Sequence, residues 1–129
     1  MKILITTDAY LPMVNGVVTS IQQLSTHLKE LGHEVRILTL SRGLRTYVDG
    51  EVTYLGSVDA DMIYPEARIR LPIINEEVDQ LIEWRPDVIH SQSEFSSYLL
   101  ARRLIHRLDI PIVHTYHTAY EDYTHYFSP

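Results

Sequence analysis

The sequence predicts an α/β fold: a doubly wound, mainly parallel sheet with helices on both faces. Three observations carry this. Short apolar, β-branched runs alternate with runs of helical periodicity in the order β-α-β-β-α-β-α-β. The first run, Lys2 to Thr6, opens into a loop bearing Pro12 and Gly16 and then into a helix, the strand-loop-helix turn that sits where open α/β sheets bind ligands. Polar clusters follow three predicted strands: Thr7-Asp8 with Asn15-Gly16, His90 to Glu94, and His114 to Tyr126. In a parallel sheet those strand ends share one edge.

Each element has its own signal. Thr19 or Ser20 is placed to cap a helix from Ile21 to Leu31, where Ile21, Leu24, Leu28 and Leu31 form an apolar stripe and Gly32 gives the stop. Val35 to Leu40 is a second strand, completing a βαβ unit with a right-handed crossover. Residues 41–50 are polar and carry two glycines, which predicts a loop, and Glu51 to Leu55 is a short third strand. Periodicity fails from Gly56 to Pro72, a stretch expected to be an irregular excursion. A helix from Ile73 or Ile74 to Trp84 ends at Arg85-Pro86. Asp87 to His90 is a buried strand, residues 91–94 a polar loop and Phe95 to Leu108 a helix with a basic C-terminal half, which suits its dipole. Pro111 to Thr115 is the last strand.

Composition narrows the function classes. With 129 residues, 45% apolar and 22% charged, the chain reads as one soluble domain with room for a real core. A net charge of -6 argues against generic nucleic-acid binding, which needs a basic footprint. The absence of cysteine removes disulfides and thiolate metal sites and fits a cytosolic protein. No apolar run reaches the length of a membrane span, and the short apolar start is expected to be a strand, not a signal peptide. The chain stops at Tyr126-Phe127-Ser128-Pro129, directly after an aromatic and acidic segment, so either the chain is expected to be a fragment or its last segment an exposed interface for something missing.

At the predicted edge, Asn15-Gly16 would let backbone approach a ligand, with the helix N-terminus favouring an anion; a plain glycine turn is the competing reading. The full G-x-G-x-x-G pattern is missing, so neither a nicotinamide site nor a P-loop follows. In the third cluster, His114, His117 and Glu121 have spacing that a metal could use, but nothing in it selects a metal. Ser91 or Ser93 with a histidine could be hydrolytic, but the Gly-x-Ser-x-Gly elbow is absent. Sugar or polyol recognition suits the composition best, since rings stack on sugar faces while Glu, Asp, Gln and His bond hydroxyls. For most of the tyrosines, packing against a helix is the simpler role. Arg68-Ile69-Arg70-Leu71-Pro72 reads either as an edge strand with solvated arginines or as a contact with an anionic membrane surface.

Several of these segments are familiar. Thr7-Asp8-Ala9-Tyr10-Leu11-Pro12 with Asn15-Gly16-Val17, then Leu31 to Val35, Pro86 to Phe95 and Pro111 to Thr118, resemble the N-terminal domain of retaining glycosyltransferases with the GT-B fold. The tail from His117 to Tyr126 resembles bacterial diacylglycerol glucosyltransferases. The resemblance spans essentially the whole chain. It implies a Rossmann-like domain, residues 1–129, that holds the acceptor and faces a donor-binding C-terminal domain missing from this chain. It implies transfer of glucose from UDP-glucose to a membrane lipid such as diacylglycerol, with retention, at the inner face of the cell membrane and with no metal or other cofactor required. Gly16 and Asn15 would lie at the donor, the backbone of Gly16 approaching its diphosphate. His117 matches the family histidine near the transferred sugar. Asp8, Tyr10, Glu94, Tyr120 and Glu121 are expected on the acceptor side, and Arg68, Ile69 and Arg70 at the membrane. With the donor half missing, the chain alone is expected to be inactive. A transferase for a soluble acceptor and a non-catalytic carbohydrate- or lipid-binding module are the alternatives.

Overall fold

Successive side chains of β1 (Lys2–Thr6) point to opposite faces, and both faces are buried. Ile3 and Ile5 enter one apolar cluster and Leu4 enters another, so helices must cover the sheet on both sides. The computed structural model describes residues 1–59, 68–70, 76–94 and 96–117. After β1 come α1 (Gly16–Glu30), β2 (Glu34–Leu40), β3 (Tyr47–Asp49), β4 (Val52–Leu55), β5 (Ser57–Asp59), β6 (Arg68–Arg70), α2 (Glu76–Trp84), β7 (Val88–Ser91), α3 (Ser96–Leu108) and β8 (Ile112–His114). Ile3, Ile5, Val35 and Ile37 pack with Val18 and Ile21 of α1. Leu4, Leu38 and Ile89 pack with Val78 and Leu81 of α2 and with Leu100, Ala101 and Leu104 of α3. Full burial of a side chain such as Leu4 is worth about 2 kcal/mol.

The six-stranded sheet runs β3-β4-β2-β1-β7-β8, parallel except for the antiparallel edge strand β3. The predicted doubly wound, mainly parallel, Rossmann-like sheet is therefore the observed one. From β1 the chain moves outward to β2 and β4, then returns to the other side of β1 for β7 and β8. The winding reverses between β1 and β7, and the loops leaving these two strands open a crevice at their carboxyl ends.

Three expectations need correction. The first helix starts at Gly16, not Ile21: Asn15 is extended (φ -157°, ψ 179°) and its Oδ1 accepts the N–H of Val18 at 2.9 Å, so Asn15 is the cap, with Thr19 and Ser20 inside the helix. Residues 41–50 are not all loop. Tyr47 to Asp49 pairs with β4 through a tight turn in which Gly50 takes φ 60°, and the rings of Tyr47 and Tyr54 stack at 4.6 Å. The 56–72 excursion is not irregular throughout. Its ends pair as an antiparallel ladder, Ser57 opposite Arg70 and Asp59 opposite Arg68. Residues 60–67 and 71–75 lie outside the described residues, as does the expected start of the second helix.

Candidate functional site

The carboxyl ends of β1, β7 and β8 are tied together by hydrogen bonds between their loops. The N–H of Gln92 donates to the Thr6 carbonyl at 2.8 Å, the N–H of Asp8 donates to Ser93 Oγ at 2.9 Å, and the N–H of Thr115 donates to the Ser91 carbonyl at 2.9 Å. Thr7 Oγ1 donates to the Ala9 carbonyl at 2.8 Å, tightening the start of the opening loop. Neutral groups make these ties, so the loops are fixed without introducing charge into the crevice.

Two residues expected on the acceptor side serve the scaffold. Asp8 Oδ1 accepts the N–H of Ser97 at 2.8 Å, in the first turn of α3, where a carboxylate meets the positive end of the helix dipole. Tyr10 is buried in the α1-side cluster with Val18, Val52 and Tyr54, and burial followed by the charge of Glu51 raises its phenol pKa. Its ring is an anchor for the opening loop. Asn15 and Gly16 form the entry to α1. The Asn15 carboxamide oxygen is engaged with Val18, and the N–H of Thr19 bonds the Asn15 carbonyl. Gly16 is exposed, and a Cβ built on it would meet no atom within 4 Å. That leaves an open approach to the N-terminus of α1.

Histidines from β7, β8 and the loop beyond meet at this edge. His90 Nε2 lies 2.7 Å from Thr115 Oγ1. Its pKa is lowered, first by burial and then by the charges of His114 and His117, which favours neutral His90 at neutral pH. Ser91 Oγ donates to the Ser93 carbonyl at 3.1 Å and therefore accepts from His114 Nδ1 at 2.9 Å. His114 Nε2 faces Glu94 Oε1 at 3.2 Å. Glu94 sits at the crevice with one carboxylate oxygen committed to His114. The His114 ring is held edge-on by Tyr98 (5.3 Å) and Tyr116 (4.5 Å). His117 Nε2 bonds Gln92 Oε1.

The structure therefore brings Gly16, Asn15, Glu94 and His117 to the edge that the sequence singled out, with Asp8 and Tyr10 beneath it as supports. Tyr120 and Glu121 lie outside the described residues. Arg68, Ile69 and Arg70 form β6, whose backbone pairing with β5 is described and whose side chains are not. Sequence reasoning did not single out Gln92 or Thr115. Gln92 lay in the named polar loop, but its partner is 25 residues away in the chain. Among the described residues, no group of three or more His, Asp or Glu could hold a metal ion, and no helix is long and apolar enough to cross a membrane.

Comparison with known proteins gives this site a context. Residues 14–129 match the model of glycosyltransferase family 4. The chain is 37% identical over 129 residues to an alpha-monoglucosyldiacylglycerol synthase of Streptococcus pneumoniae, covering 99% of this chain and 29% of that protein. It is 35% identical over 130 residues to an alpha-monoglucosyldiacylglycerol synthase of Acholeplasma laidlawii, covering 99% of this chain and 32% of that protein. A GDP-mannose-dependent alpha-mannosyltransferase of Corynebacterium glutamicum is 30% identical over 127 residues, covering 92% of this chain and 29% of that protein. The chain thus spans about a third or less of the length of these relatives.

Proposed function

The chain belongs to glycosyltransferase family 4, and on that premise we propose that it forms the acceptor-side, N-terminal half of a membrane-lipid hexosyltransferase. The donor is UDP-glucose, the acceptor a lipid such as diacylglycerol, and configuration at the sugar is retained. The observation that carries this is the convergence, at the reversal between β1 and β7, of a helix N-terminus left open at Gly16 and a histidine-rich polar edge ending in His117. The names of two relatives, both alpha-monoglucosyldiacylglycerol synthases, support the lipid acceptor.

The chemistry divides between groups of opposite preference. The α1 N-terminus favours the negative diphosphate of the donor, and the missing Cβ of Gly16 lets the backbone come close. His117 hydrogen-bonds the transferred sugar and stabilises the charge that develops there. The bond between the anomeric carbon and the diphosphate oxygen breaks as the acceptor oxygen bonds that carbon from the same face. The leaving diphosphate takes the hydroxyl proton. No metal is required in this scheme. The donor-gripping groups belong to a second domain, so residues 1–129 alone lack activity. Arg68, Ile69 and Arg70 contact the anionic inner face of the cell membrane, where the protein is peripheral.

The test uses the intact protein with diacylglycerol vesicles and with soluble alcohols as acceptors, and with UDP-glucose and GDP-mannose as donors. Transfer of glucose to diacylglycerol is expected. His117→Ala should lower kcat about 10²–10³-fold. Preference for a soluble acceptor, or full activity in His117→Ala, would overturn the reading. Arg68→Glu with Arg70→Glu should weaken co-sedimentation with anionic vesicles, and unchanged binding would remove the membrane contact.

A further inference from the structure

The partner of His117 is an amide, and that decides what its imidazole can do. Gln92 is only 3% exposed, and its backbone is pinned to the Thr6 carbonyl at 2.8 Å. Gln92 Oε1 faces His117 Nε2 within hydrogen-bond distance. A carboxamide oxygen only accepts, so the proton of the bond belongs to Nε2. Among the described residues, the acids of this edge are engaged elsewhere: Glu94 Oε1 faces His114, and Asp8 Oδ1 accepts from the α3 N-terminus. The other titratable groups grouped with it are His90, held neutral, and His114, paired to Glu94. Among the described residues, His117 Nδ1 makes no hydrogen bond.

A carboxylate partner would fix the same nitrogen but would also draw a second proton onto the ring. A neutral amide fixes Nε2 as the donor without adding that attraction. We propose that Gln92 is a positioning residue that fixes Nε2 of His117 as the hydrogen-bond donor, so that in the neutral ring Nδ1 is left as an acceptor for a substrate hydroxyl. This rests on the transferase reading and adds what His117 selects: a group that donates a proton to it, such as a sugar or alcohol hydroxyl, over an anionic group that would need a donor. Gln92 touches no reacting atom and acts through His117.

The experiment reads the tautomer directly. Intact protein labelled with ¹⁵N-histidine is examined at alkaline pH, where imidazole rings are neutral, with His117→Gln assigning the His117 signals. A protonated Nε2 and an unprotonated Nδ1 are expected. Gln92→Met, of similar length and without the acceptor, should give mixed tautomers. Gln92→Glu should keep the proton on Nε2 and raise the ring's protonation midpoint by about one pH unit. With UDP-glucose and diacylglycerol vesicles, Gln92→Met should lower kcat at least tenfold with KM for UDP-glucose within twofold. A wild-type Nδ1–H signature overturns the proposal even where the variants fail to fold. So does an unchanged tautomer in folded Gln92→Met. A wild type that transfers no sugar yet shows the Nε2–H signature overturns the transferase reading and supports the tautomer assignment.

Discussion

Gly56, between β4 and β5, and Gly16, at the head of α1, are glycines for opposite reasons. A Cβ on Gly56 would stand 2.2 Å from the Leu44 carbonyl oxygen and 2.9 Å from its carbon. The loop after β2 lies directly on this backbone, with the N–H of Gly56 donating to Thr46 Oγ1 at 2.8 Å and the N–H of Ser57 donating to the Gly43 carbonyl at 2.9 Å. A Cβ on Gly16 would meet nothing within 4 Å beyond its chain neighbours and its own helix, and its φ is not in the left-handed region. The fold demands the first glycine and is indifferent to the second.

The comparison can be broken at several points. Gly56→Ala should cost about 2–3 kcal/mol, since the obstacle is backbone rather than a flexible side chain, and denaturant unfolding would show it. Gly16→Ala should leave stability within about 0.5 kcal/mol while lowering sugar transfer by the intact protein about tenfold, equivalent to about 1.4 kcal/mol. Equal stability losses in the two variants would erase the distinction. Asn15→Ala should cost about 1 kcal/mol through the lost cap, marking where the structural part of the loop ends and Gly16 begins.

A smaller effect separates the two regions by pH. His90 has a lowered pKa in the fold, so the unfolded chain binds its proton more readily than the folded chain does. Its contribution is fully present above the ordinary histidine range and is lost as pH falls through about 6.5 towards the folded value. Replacing His90 with Gln should flatten that part of the stability–pH curve, and Gly56→Ala should shift the curve without changing its slope there. An unchanged slope in His90→Gln would show that another group carries the acid response.

Helix endings show how far local chemistry could be read. All three described helices stop at or just before a left-handed residue: Gly32 (φ 92°) after α1, Arg85 (φ 59°) after α2 and Asp109 (φ 54°) after α3. Only the first was spelled by glycine. At Arg85 the following proline gave the signal instead, and at Asp109 the apolar stripe simply ended. The strand at Tyr47 to Asp49 had a local signal too, in Asp49-Gly50 between β-formers, but the polar composition of residues 41–50 masked it. The early start of α1 at Gly16, capped by Asn15, was hidden because Val17 and Val18 follow a proline-bearing loop, while Ile21 begins the clearer stripe.

The sequence by itself determined the fold class, most of the strands and helices that build it, and the edge on which the polar clusters meet. Periodicity, β-branching and turn residues are local properties and survive without tertiary contacts. Tertiary structure decided which of those residues are held by the fold's own contacts and which are left open at the edge. Asp8 and Tyr10 look as functional in the chain as Asn15 and Gly16, yet one carboxylate oxygen caps α3 and one ring enters the core. Gln92 looks like any polar loop residue until the β7–β8 pairing sets it against His117. A hydrogen bond or a burial depends on where two distant segments arrive, and strand order alone fixes that.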